Sequence, residues 1–315
     1  MGQGSREERS WLIDTITQIG SVGLSAPVLT ASGTAGHGAE LARYVKLDEL
    51  GAVVVKSMRA QPWAGNPSPR VHPTAAGMIN SVGLQGEGIS HWIEHDLPPL
   101  LKTGATVVAS IWGGSIADYE AAAIALADAP HGVVAVEVNV SCPNLEDRRR
   151  MFAHSATATA EAVEAAAACG RPRWAKLSPN AADLPEIADA AHKAGAEAVV
   201  LTNTLLGMAI DVNTRQPVLG AGRGGLSGAA MHPVAVRAVY DVHEALPHVP
   251  IVGVGGTTSG ADVVEFLLAG ASAVEVGTAT FADPRASRRI LKEFEKWCER
   301  RGVSTVAELI GAAHG

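Results

Sequence analysis

One pattern constrains this chain more than any other. Short apolar runs of strand length recur from end to end, separated by helical patterns. The runs lie at 26–32, 52–56, 106–112, 133–140, 173–177, 198–202, 250–253 and 273–276. They are rich in Val and Ile and mostly do not alternate with polar residues, which suits strands buried on both faces. Helical patterns lie between most of them, at 40–44, 89–102, 116–127, 157–168, 184–193, 233–246, 260–268 and 284–299. Four junctions share a signature: Leu50-Gly51-Ala52, Thr103-Gly104-Ala105, Ala194-Gly195-Ala196 and Ala269-Gly270-Ala271. Each places a Gly just past a helix, where the left-handed backbone closes it cheaply. Eight such units in 315 residues predict an α/β fold, a (β/α)8 TIM barrel with long active-site loops at its C-terminal face. The rival is an open doubly wound sheet. No linker divides the chain, so residues 1–315 read as a single domain. Residues 1–25 form a lead-in over the barrel end, with an amphipathic helix expected over 11–19.

Composition narrows the function classes. The 47% hydrophobic share can fill a core, which excludes disorder. Lys+Arg 25 against Asp+Glu 32 gives a net charge of -7, with no electrostatic footprint for nucleic acid. No apolar stretch is long enough to cross a membrane, and charges of both signs at 6–9 leave no secretory signal. Cys142, Cys169 and Cys298 are odd in number and widely spaced. They make neither a disulfide framework nor a metal site, which points to a reducing, cytoplasmic home.

The long connections at 61–88, 143–156 and 205–231 follow strands, so they gather where barrel active sites sit. The last two strands end in Gly253-Val254-Gly255-Gly256-Thr257 and Gly277-Thr278-Ala279-Thr280. Gly-rich turns after strands 7 and 8 offer backbone N–H groups to a phosphate. Lys56 and Lys176 close two apolar strands and would balance an anionic ligand there; a lone strand-end Lys more often snorkels to solvent. Asn139 and Asn203 also stand at strand ends, each a donor and acceptor suited to a flat heterocycle. Cys142 lies between Asn139 and Asn144, where a thiolate could act as base or nucleophile. Cys169 and Cys298 read as small buried residues. His91 and His95 read as a solvated helix face, since a zinc-protease motif needs Glu directly after the first His. Arg148-Arg149-Arg150 reads as loop surface.

Together these segments resemble the class 1 dihydroorotate dehydrogenases, most closely the class 1B catalytic subunit, from about residue 26 to 284. The resemblance is carried by Ala31-Ser32-Gly33, Val55-Lys56, Gly65-Asn66-Pro67-Ser68-Pro69-Arg70, Asn80-Ser81-Val82-Gly83-Leu84 and Asn139-Val140-Ser141-Cys142-Pro143-Asn144. Further on come Lys176-Leu177-Ser178-Pro179-Asn180, Asn203-Thr204-Leu205-Leu206-Gly207, Thr214-Arg215-Gln216-Pro217, Gly224-Gly225-Leu226-Ser227-Gly228 and Gly277-Thr278. The resemblance implies an FMN enzyme that oxidises dihydroorotate to orotate in pyrimidine (UMP) biosynthesis. Ser32, Lys56, Ser57, Ser110, Asn139, Lys176, Thr202, Gly228, Gly255, Gly256, Gly277 and Thr278 would hold FMN. Lys56, Asn80, Ser81, Val82, Gly83, Leu84, Asn139, Asn144, Asn203 and Thr204 would hold the substrate. Cys142 matches the family's base, which removes the C5 proton while the C6 hydrogen leaves as hydride. No metal is implied.

The resemblance also implies a homodimer and an electron-transfer partner, completing a heterotetramer. That partner carries FAD and a [2Fe–2S] cluster, which three scattered Cys cannot ligate here. Class 2 is unlike this chain, which has Cys rather than Ser as base and only a short lead-in. Alternatives are a fumarate-using class 1A-type enzyme or an FMN-dependent dihydropyrimidine reductase. From another class comes a flavin-free phosphate-binding barrel, an aldolase or isomerase. Three departures stand out. Ser110 replaces the family's Asn, Ala35-Gly36-His37-Gly38 replaces an aromatic stretch, and Leu145-Glu146-Asp147-Arg148-Arg149-Arg150 replaces a Gly pair in the covering loop.

Overall fold

The computed structural model describes residues 13–141 and 151–315. Eight parallel strands close into a barrel: β1 (Val28–Thr30), β2 (Ala52–Val54), β3 (Val107–Ile111), β4 (Val133–Asn139), β5 (Arg173–Lys176), β6 (Ala198–Leu201), β7 (Ile251–Val254) and β8 (Ala273–Val276). Each pairs with its sequence neighbours, and β8 returns to β1 through Val274↔Val28 and Val276↔Thr30. All eight expected strands are present, and closure excludes the open sheet.

The lack of alternation has a structural cause. Outward residues such as Val53, Val107, Val136, Val199 and Val274 pack against the helices. Inward residues such as Leu29, Val54, Val108, Trp174, Val200 and Val252 fill the barrel. Both faces are dry, so both are apolar. Trp174, wholly buried, plugs the interior. Helix starts follow cap chemistry. Ser115, Ser155 and Asp183 each accept a backbone N–H at the head of Ile116–Leu126, Ala156–Ala165 and Leu184–Lys193. Ser259 and Asp262 form a capping box on Gly260–Leu268.

Two expectations need correction. Gly104, Gly195 and Gly270 have φ of +80°, +93° and +115°, as a helix-closing Gly should. Gly51 does not. A Cβ there would lie 2.1 Å from the Ala26 carbonyl oxygen, so close backbone approach is what requires Gly. The N-terminal helix is also absent from the described part of 11–19. Thr17–Ile19 and Val22–Leu24 form an antiparallel hairpin instead. Its Ile19, Val22 and Leu24 pack into the interior cluster with Leu29 and Trp174. The signal for the hairpin is the alternation within 17–19 and again within 22–24, on either side of the two-residue Gly20-Ser21 turn.

The long loops at 61–88 and 205–231 hold unforeseen order. They join in a four-stranded antiparallel sheet: Leu205–Gly207, Gly224–Ser227, Gly77–Asn80 and Val71–Thr74. No helix among the described residues is long and apolar enough to cross a membrane.

Candidate active site

The C-terminal ends of the barrel strands and this four-stranded sheet enclose one cavity of about 1020 Å3. That is ample for a cofactor-sized ligand. Residues predicted from distant parts of the sequence meet there. Ser32, Lys56, Ser57, Asn139, Lys176 and Thr202 reach it from strand ends. Gly228, Gly255, Gly256, Gly277 and Thr278 line it from turns. Asn80, Ser81, Val82, Gly83, Leu84, Asn203 and Thr204 line it as well. Cys142, Asn144 and the 145–150 loop lie outside the described residues. Ser141 and Met151, which flank that segment, both line the cavity. Ser110 is the exception among the expected cofactor contacts. It is fully buried and does not line the cavity. Its side chain points inward from β3 one layer deeper, beneath Ser57.

Below the cavity floor runs a hydrogen-bonded chain whose direction the donors fix. Ser110 Oγ donates to Glu137 Oε1 at 2.8 Å. A hydroxyl has one proton, so across the 2.9 Å Ser57–Ser110 contact Ser57 must be the donor. Ser57 in turn accepts from Ser32 Oγ at 3.1 Å and from Asn139 Nδ2 at 3.2 Å. Asn139 Oδ1 accepts from Asn203 Nδ2 at 3.2 Å and from the Ser141 N–H at 3.2 Å. Every expected residue in this chain therefore has a fixed orientation.

The chain ends in a charge cluster. Lys176 Nζ donates to Glu137 Oε2 at 3.1 Å and to Glu275 Oε2 at 2.8 Å. Both carboxyl groups are fully buried. Burial opposes the charge on Lys176, but the flanking Glu137 and Glu275 outweigh it and hold its pKa above the ordinary lysine value. Glu275 is pushed up to about 8 by burial, against the pull of Lys176 and with the help of Glu137. Sequence reading missed both glutamates. The signal was the strand period of two. Glu137 stands two residues before Asn139, and Glu275 two before Gly277, so each shares the inward face with a predicted residue.

The glycine turns form a cradle that side chains would fill. At Gly256, with φ +68°, a Cβ would lie 2.7 Å from the Gly228 carbonyl oxygen and 2.7 Å from the His232 nitrogen. At Gly255 it would lie 2.5 Å from Ala235 Cβ. Among the described residues, the N–H groups of Gly255, Gly256, Gly277 and Thr278 donate to no protein oxygen. Four free donors on a closely approached backbone suit an anionic oxygen cluster. Thr202 Oγ1 and Ser141 Oγ are buried and unpartnered among the described residues, and both residues line the cavity. His37 lines it too, with Nε2 buried and unpartnered. Such orphans are rare unless a ligand completes them.

Two comparisons agree with this geometry. The family model described as dihydroorotate dehydrogenase matches residues 15–297. The chain is 44% identical over 303 residues to the catalytic subunit of dihydroorotate dehydrogenase B (NAD(+)) from Desulforamulus reducens, covering 96% of this chain and 99% of that protein. It is 43% identical over 300 residues to the subunit of the same name from Geobacter metallireducens, covering 95% and 98%. The counterpart from Trichlorobacter lovleyi is 44% identical over 299 residues, covering 95% and 98%. With a closed barrel, a cradle at its last two turns and nearly end-to-end similarity, the chain belongs to the dihydroorotate dehydrogenase family, in its class 1B branch.

Proposed function

We infer that this chain oxidises (S)-dihydroorotate to orotate in UMP biosynthesis, using FMN held in the cavity. The observation that carries this reading is the joint placement of the glycine cradle, the two lysines and the Asn139–Asn203 pair around one cavity. The donor set fits FMN: unpaired N–H groups for its phosphate, and a Lys and orphan hydroxyls for a flat polar ring. FMN, when bound, supplies the hydride acceptor.

The chain's own residues supply the rest. Lys56 and Lys176 offer positive charge to an anionic ligand. Asn139, Asn203, Thr204 and the residues from Asn80 to Leu84 orient the substrate, whose edges alternate donors and acceptors. Cys142 takes the C5 proton, which its neighbouring carbonyl makes acidic. Water is kept out by the four-stranded sheet that walls the cavity. The domain spans residues 1–315 and acts in the cytoplasm as a homodimer. Electrons pass to NAD+ through a partner subunit, in line with the words NAD(+) and catalytic subunit in the relatives' names; that partner would carry FAD and a [2Fe–2S] cluster.

The deciding experiment is anaerobic stopped flow on Cys142→Ala. The variant should retain FMN and lose nearly all flavin reduction by dihydroorotate. Reduction at the normal rate would remove Cys142 from the mechanism. A colourless wild-type protein that cannot be loaded with FMN would sink the whole reading.

A further inference from the structure

The three buried groups Glu137, Lys176 and Glu275 could carry a net charge of either -1 or zero, and hydrogen bonding decides which. Both oxygens of Glu137 accept a donor, one from Ser110 and one from Lys176. Glu275 accepts only through Oε2; its Oε1 is buried and has no partner among the described residues. A charged oxygen without a donor in a dry interior is costly, and adding a proton is the cheaper state. Lys176 and Glu137 are the titratable groups that face Glu275.

We propose that Glu275 is a positioning residue that stands as an uncharged carboxyl, leaving Glu137 and Lys176 as a balanced ion pair at the cavity floor. Lys176 lines the cavity, whereas the two glutamates do not. The glutamates therefore act through Lys176. With Glu275 neutral, the cluster meets the ligand with one cation and no net negative charge. Ionising Glu275 would add a negative charge behind Lys176 and oppose electrons entering the cavity. This inference rests on the FMN reading for its redox part only; the protonation of Glu275 is independent of it.

Two measurements separate these parts. Infrared spectroscopy on the purified chain should show a buried carboxylic-acid C=O band at neutral pH. That band should vanish in Glu275→Gln, weaken in Glu137→Gln, where Lys176 is left with Glu275 as its counter-ion, and fade in the wild type as pH rises through about 8. The midpoint potential of bound FMN is then measured below and above that pH. In the wild type, the reduced-over-oxidised binding preference should fall on the order of tenfold more than in Glu275→Gln, the usual scale of coupling between two sites. A missing band, or a Glu275→Gln profile identical to wild type at both pH values, overturns the proposal. If the chain holds no FMN, the proposed function fails while the band alone decides Glu275. If Glu275→Gln does not fold, the pH titration of the wild-type band still decides it.

Discussion

Asn203 Nδ2 donates to Asn139 Oδ1 at 3.2 Å, tying the end of β6 to the end of β4 across the cavity. Asn139 Nδ2 donates onward to Ser57, so its amide is held from both sides. Asn139→Ala leaves Asn203 without its acceptor and Ser57 without one donor. Losing such bonds costs about 1–3 kcal/mol. In kcat/KM for dihydroorotate this is roughly tenfold to a hundredfold. Steady-state kinetics, with the flavin spectrum as a check on folding, test it. A loss below threefold would mean the pair does not hold substrate.

Gly256→Ala should separate cofactor retention from folding. The added Cβ would meet backbone atoms at 2.7 Å, in a conformation with φ +68° that disfavours a side chain. The turn must shift, and its N–H groups with it. The FMN dissociation constant should rise at least on the order of tenfold, a loss of about 1.4 kcal/mol. Gly170→Ala is the control. It also has positive φ, +64°, but nothing lies within 4 Å of the new Cβ. It should cost about 1–2 kcal/mol of stability and leave FMN binding intact. Equal binding by both variants would show that the cradle does not hold the phosphate.

The eight strands were legible because buried parallel strands leave unbroken apolar runs, and the site because its residues sit at the ends of those runs. Lys176 could be read from its place after Trp174 and Ala175. Glu137 and Glu275 could not be read from the runs alone. A carboxyl inside an apolar strand looks like a break in the pattern until Lys176 is seen between them. The four-stranded sheet was hidden for a different reason. Its strands are three or four residues long, and the pairing that joins its two halves spans about 145 positions, as between Asn80 and Gly225. Local periodicity cannot report such pairing. Ser110 was placed correctly on its strand but one layer too high. Its short side chain ends at Glu137, where a longer amide would extend further.

The three thiols should divide by reactivity. Cys298 is fully buried, and its thiol is pushed up to about 12 by burial and then by Glu308, Glu295 and Glu299. Burial also raises Cys169, against the pull of nearby backbone N–H groups and arginines. Thiolate is the reactive form, so neither should react in the native protein. Iodoacetamide at neutral pH should label Cys142 first, and Cys142→Ala should remain unlabelled until denatured. Peptide mapping that finds native label on Cys169 or Cys298 would contradict the burial assigned to them.

His37 gives the barrel an acid-sensitive point. Trp92 Nε1 donates to its carbonyl at 2.7 Å, and its own N–H donates to Glu40 Oε1 at 3.1 Å, so its backbone is fixed. Burial lowers the ring's pKa below the ordinary 6.5. Asp96 opposes the shift and Lys56 adds to it. The sign follows from which state binds the proton first. Above pH 6.5 the ring is neutral in both folded and unfolded chains, and it affects neither. Below that value the unfolded chain gains the proton while the folded chain resists, so stability falls with pH until the folded ring also titrates. His37→Phe removes this proton uptake. Its melting temperature, relative to wild type, should therefore be higher at pH about 5.5 than at pH about 7.5, on either side of the ordinary histidine value. A gap that stays constant between the two pH values would mean that the ring titrates alike in both states, and that the buried Nε2 is not what sets its pKa.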